Sequence, residues 1–218
     1  MNWRSASLAA LLLALLVRPA AADVLWDQSN YDAFGAGFFN SVSGSPPFGL
    51  TVYTVGDVTV GGTGWHVEKI TTYYSRIDPN WGIGITQGFL HVFPKTGALP
   101  VDGTDDPAVS APVTLSSALF DDRFEIHASG LSLDLAPGDY WIGITPIAPS
   151  GFFGPETHMS SQTFLGDASP SYDPYADPGP PAWYDMNPGV DAALLIEGTL
   201  HPVAVTPTSW SEIKALYR

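Results

Sequence analysis

Gly64-Trp65-His66-Val67-Glu68-Lys69-Ile70-Thr71-Thr72-Tyr73-Tyr74 is the stretch on which the fold turns. β-branched and aromatic residues dominate it, as they do in strands. On a strict period of two, Trp65 and Val67 share one face and Ile70 and Thr72 share the other. An extra residue near Glu68-Lys69, a β-bulge, would bring both pairs to the same side. The segment therefore reads as one long strand with a phase change in its middle.

Working outward, the same grammar recurs. Strands are expected over 24–27, 50–55, 57–60, 65–74, 83–93, 113–120, 123–128, 131–135, 140–144 and 192–200, with one more suggested over 159–165. Phe89, His91 and Phe93 alternate with Leu90 and Val92, and Tyr140, Ile142 and Ile144 line one side of their strand. The 22 glycines and 20 prolines are spread along the chain as punctuation between these segments. No ten-residue window between Asp23 and Pro207 carries a helical period. Many short strands with turn signals between them predict an all-β protein, a single antiparallel β-sandwich. Two stretches, 98–112 and 145–189, read as long irregular loops, where binding functions tend to sit.

The ends read differently. Arg4, an apolar run over 8–17, and Ala20-Ala21-Ala22 before Asp23 have the layout of a secretory signal peptide over 1–22. The run is half the roughly 20 residues needed to cross a bilayer. The β-sandwich domain is assigned to 23–201. Residues 202–218 are read as a proline-bounded linker and a short amphipathic helical tail, in which Ser209 and Glu212 form a capping box. No transmembrane segment is expected in the mature chain, and the location implied is secreted or cell-surface.

The chain carries 22 acidic and 8 basic residues, a net charge of −14. Losing Arg4 and Arg18 with the signal makes it two units more negative. Such a surface repels nucleic acid and anionic lipid. There is no cysteine, so disulfides, thiolate metal sites and cysteine nucleophiles are excluded.

Candidate chemistry is sparse. Asp102, Asp105 and Asp106 crowd three carboxylates into one loop; a solvated turn is the first explanation, and calcium as a cofactor is the alternative. Histidines 66, 91, 127, 158 and 201 lack metal spacing, and His91 and His127 read as strand-face residues. Gly130-Leu131-Ser132 begins like a nucleophile elbow, but Asp134 stands where the second glycine belongs. Glu68, Glu125 and Glu156 are acids that a glycosidase-like carboxylate pair would need, with nothing to select any two of them. Trp81, Tyr172, Tyr175 and Trp183 fall in loop stretches, where flat rings would stack on sugars or else cover the core edge.

Five pieces carry a resemblance: Leu25-Trp26-Asp27-Gln28, Val55-Gly56-Asp57-Val58-Thr59-Val60, Gly64 through Thr71, Leu135-Ala136-Pro137-Gly138-Asp139-Tyr140-Trp141-Ile142, and Asp191 through Thr199. In this order the chain resembles exported bacterial β-sandwich modules that often carry C-terminal sorting or anchoring tails. The resemblance implies a jelly-roll-like sandwich outside the cell and implies no catalytic residues. The chain departs from the pattern at Gly56-Asp57, where paired acids are common, and in a tail without an apolar span. The function expected is a non-catalytic exported module with a structural or binding role. Its partners would be extracellular polysaccharide or cell-surface components. The alternatives are a carbohydrate-binding module using loop aromatics, with or without calcium, and a secreted hydrolase with a carboxylate pair.

Overall fold

The computed structural model describes residues 22–32, 40–43, 51–75, 84–100, 110–120, 123–148, 160–161, 165–167, 169–173, 182–184 and 191–201. In chain order these form β1 (Asp23–Asp27), β2 (Tyr31–Asp32), β3 (Ser41–Ser43), β4 (Thr51–Thr54), β5 (Gly56–Val60), β6 (Trp65–Ser75), β7 (Gln87–Pro94) and β8 (Ser110–Thr114). They continue with β9 (Ser116–Leu119), β10 (Arg123–Leu135), β11 (Gly138–Ala148), β12 (Ser160–Ser161), β13 (Ser171–Asp173), β14 (Ala182–Tyr184), β15 (Asp191–Ala192) and β16 (Leu194–Leu200).

One sheet has the order β1-β16-β6-β10-β9. A second, of eight strands, runs β14-β13-β4-β3-β11-β7-β8, with β5 also paired to β11. A small third sheet joins β15, β12 and β2. Central strand β11 has β7 along one edge, and β5 and β3 one after the other along the opposite edge. The architecture is all-β and sandwich-like. It corrects the purely antiparallel expectation at one place, because β3 pairs with β11 in parallel. The tail over 202–218, with its expected helix, lies outside the described residues, as do residues 1–21 of the signal expected over 1–22.

The bulge in β6 lies where the side-chain phase required it. Lys69 pairs with Glu197 and Val67 with Gly198, so Glu68 is the residue left over. The effect on burial is direct: Trp65, Val67, Ile70, Thr72 and Tyr74 are all buried, on both sides of the bulge. On the other edge of β6, Lys69 pairs with Ser129 and Val67 with Leu133. Gly130 sits in that irregularity with φ +69°, a conformation that costs other residues energy. The two strands expected over 123–128 and 131–135 are thus one strand bent at a glycine.

Between the sheets lies the main core, built from Val67, Ile70, Phe124, Ile126 and Ile196 on one side and Val58, Leu90, Ile142 and Ile144 on the other. Fully burying such a side chain stabilises by roughly 1.5–3 kcal/mol. A second cluster of Tyr53, Val55, Phe93, Trp141 and Trp183 covers the outer face of β7 and β11. Both faces of these two strands are therefore apolar, which explains why β7 alternates between two sets of large residues rather than between apolar and polar.

Residues 113–120 are two strands, not one. β8 pairs with β7 in the larger sheet, whereas β9 pairs with β10 in the smaller. Leu115, buried between them, carries the chain across the sandwich, and its N–H donates to the Thr86 carbonyl at 2.8 Å.

Candidate functional site

The residues singled out from sequence are scattered. Trp81, Tyr175, Asp102, Asp105 and Asp106 lie outside the described residues. Tyr172 falls in β13, paired with Tyr53 and Trp183. Trp183 lies in strand β14, which corrects its loop placement; its ring is 8% exposed and meets Phe93 edge-on, centroids 5.7 Å apart. Burial there follows from β14 pairing with β13, which sets Trp183 against the second cluster. Among the described residues, no group of three or more His, Cys, Asp or Glu side chains is placed to hold a metal ion.

His91 is a strand-face residue. It is fully buried on β7, with Nε2 2.9 Å from Thr145 Oγ1, and burial lowers its pKa to about 3. His127 lies on the outer face of the five-stranded sheet, in a row set by alternation along β10: Arg123, Glu125 and His127. The Arg123 guanidinium grips Glu125 Oε1 through two nitrogens, at 2.9 and 3.0 Å, and donates to Tyr31 OH at 3.1 Å. Tyr31 stacks on Tyr73 on β6. Burial, followed by the Glu125 charge, pushes Tyr73 up to about 12. Next in the row, Thr71 Oγ1 and His127 Nδ1 are 3.0 Å apart, and His127 Nε2 lies 3.6 Å from Glu125. Lys69 and Glu197 close it with an ion pair at 2.5 Å.

Hydroxyl, imidazole and carboxylate in that order invite comparison with a nucleophilic triad. The geometry refuses it. Thr71 is only 1% exposed, so no substrate carbonyl reaches its oxygen. The imidazole–carboxylate separation exceeds hydrogen-bond length. Burial, then the Lys69 charge, lowers the pKa of His127 and holds it neutral near neutral pH. The rings offer no free platform either, since Tyr31 has Tyr73 on one side and the Arg123 guanidinium 5.2 Å from its centroid.

A second polar site was not legible in the sequence. It forms where residues 165–167 and 169–170 meet the start of β5. Asp191, fully buried at the head of β15, accepts from Ser169 Oγ at 2.6 Å, Ala192 N at 3.0 Å, Leu165 N at 3.3 Å and Gln28 Nε2. Burial, helped by the Asp57 charge, raises its pKa to about 6 against the pull of these donors. Close by, Asp57 Oδ2 accepts from Lys95 Nζ at 2.7 Å and from the Asp167 N–H at 2.8 Å. Lys95 Nζ also lies 2.8 Å from Asp167 Oδ2 and 4.6 Å from the centre of the Trp141 ring. Burial alone would lower the Lys95 pKa; hydrogen bonds to Asp167 and Asp57 outweigh it and hold the ammonium above its usual range. Asp57 Oδ1 and Trp141 Nε1 are buried and have no hydrogen-bond partner among the described residues. A methyl group on Gly166, at φ +82°, would overlap the Asp57 carboxylate, so only glycine lets the backbone lie this close.

Gln28, Asp57 and Asp191 each come from one of the sequence pieces quoted for the resemblance, and here they meet. The available signal was a lone acid in an apolar strand, at Asp57 and at Asp191. Which partners answer them, up to 163 residues away, no local pattern states.

A third group lies at the end of the sandwich. His66 Nδ1 is 2.6 Å from Asp134 Oδ1, and His201 Nε2 is 3.2 Å from the same oxygen without forming an aligned hydrogen bond. The His66 contact holds the exposed Asp134 below the usual carboxylate range.

Compared with protein-family models, with curated proteins and with solved structures, the chain finds no match in any of the three.

Proposed function

We propose that the chain is an exported or cell-surface β-sandwich module, jelly-roll-like in plan, whose role is structural or binding rather than catalytic. The observation that carries this reading is the burial of Thr71 beside His127 and Glu125. The row that most resembles hydrolytic machinery has its hydroxyl sealed and its imidazole spaced away from the acid. Support also comes from the aromatic rings of that face, which pack on each other and on Arg123. The export part of the reading rests on the signal layout of 1–22.

The test expresses the full chain in a secreting bacterial host. Export with a new N-terminus at or near Asp23, and no turnover of a panel of glycoside and ester substrates, is the expected result. Retention of the uncut chain in the cytoplasm breaks the export reading. Turnover that disappears in Glu125→Gln breaks the non-catalytic one. The same preparation, passed over insoluble polysaccharides with and without calcium, asks whether binding is to sugar and whether the 102–106 loop takes part.

A further inference from the structure

The site around Asp57 contains an arrangement that a simple ion pair does not need. Lys95 follows β7 and Asp57 belongs to β5, and these strands lie on opposite edges of β11. The lysine side chain reaches across β11, over the face of Trp141, to the carboxylate. Both side chains are largely sealed, at 15% and 8% exposure. We propose that Lys95 and Asp57 are the two halves of an isopeptide cross-link, an amide between Nζ and Cγ, with Asp167 as the proton shuttle.

Four observations converge on this. First, Nζ touches Asp57 Oδ2 and has only to move to the adjacent Cγ to reach the roughly 3–3.5 Å of a near-attack arrangement. Second, the two oxygens of Asp57 are unequal. Oδ2 takes two donors while buried Oδ1 takes none among the described residues, a costly state for a carboxylate. Condensation removes one of these oxygens and both buried charges, and with them the desolvation cost of the pair. Third, the side chains of Lys95 and Asp57 are largely withdrawn from solvent and the Trp141 indole lies against Nζ, which limits water at the bond and favours amide over hydrolysis. Fourth, Asp167 Oδ2 is 2.8 Å from Nζ while its own N–H holds Asp57, so one residue touches both reactants.

The reaction balances without an added reagent. The ammonium gives a proton to Asp167, and the freed electron pair attacks Cγ. Of the three ammonium hydrogens, one remains on the amide nitrogen. The other two leave with one Asp57 oxygen as water, relayed by Asp167, which ends as it began. The product joins residues 38 apart in a chain that has no cysteine with which to make a disulfide.

Mass spectrometry of the folded full chain tests the proposal. The expected mass is one water below that of the chain counted from its observed N-terminus, trypsin leaves the bond after Lys95 uncut, and a branched peptide joins the stretch holding Asp57 to the one holding Lys95. Lys95→Arg, which keeps the charge but forms no amide, has full mass. Asp167→Asn slows appearance of the linkage about a hundredfold, the size of a general acid–base contribution. Circular dichroism confirms that each variant is folded. A folded wild-type chain of full mass, cut normally after Lys95 following prolonged incubation, overturns the proposal. So does a branch on Asp167 instead of Asp57, and formation at an unchanged rate in Asp167→Asn removes the shuttle.

Discussion

Two polar regions of this molecule treat charge in opposite ways. On the outer face of the five-stranded sheet, Arg123 and Glu125, and Lys69 and Glu197, are paired so that the main partners are themselves charged side chains. Beside the start of β5, Asp191 is held chiefly by neutral donors: two backbone N–H groups, a hydroxyl and an amide. The first arrangement is adjustable, because long side chains on a sheet face can re-pair or turn to water. The second is more nearly fixed, because the Ala192 N–H cannot move without unmaking β15. Exposure to solvent sets how much each can contribute.

The comparison predicts a ranking, checked by denaturant melts. Asp191→Ala should be the most damaging change, at about 3 kcal/mol, because it leaves several buried donors unanswered. Gly166→Ala should follow at about 2 kcal/mol, from the positive φ and the overlap with Asp57. Glu125→Gln in the outer row should cost about 1 kcal/mol, since the amide still accepts from Arg123. A larger loss in Glu125→Gln than in Asp191→Ala would invert the distinction.

Acid titration sharpens it. Asp191, raised to about 6, contributes stability that is greatest below the ordinary aspartate value of 3.8 and falls as pH rises to about 6. His91, lowered to about 3, has the opposite slope: its contribution is full above 6.5 and falls as pH drops towards 3. Between pH 4 and 6 the two partly cancel in the wild type. Melting temperatures measured across that window should fall more steeply on acidification in Asp191→Asn than in wild type, and less steeply in His91→Gln. Parallel curves for all three would mean that neither group titrates as its burial requires. The smallest effect is expected at Asp134→Asn, on the exposed end of the sandwich, with no resolved change in melting midpoint.

Much of the fold was legible because it rests on local rules. The phase change between Val67 and Ile70 announced the bulge, and the register places it at Glu68. The alternation of Phe89, His91 and Phe93 with Leu90 and Val92 was visible, but not that both faces are covered, since that depends on β13 and β14 arriving from a stretch rich in glycine and proline. At Leu115 the reading failed for a physical reason. A buried leucine continues a strand pattern equally well whether the strand goes on or changes sheets. The polar site at Asp57 and Asp191 was illegible for a different reason: its partners come from distant parts of the chain, so nothing in a window of ten residues distinguishes a sealed carboxylate from a surface one.

The crossing at Leu115 has a mechanical side. One residue tethers the two layers there covalently, and sliding one layer past the other would draw that tether taut before the interlayer side chains could disengage. A pulling force directed along the layers should therefore meet its resistance first at this corner, and a longer, looser linker inserted there should let them shear at lower load while leaving the resting architecture unaltered.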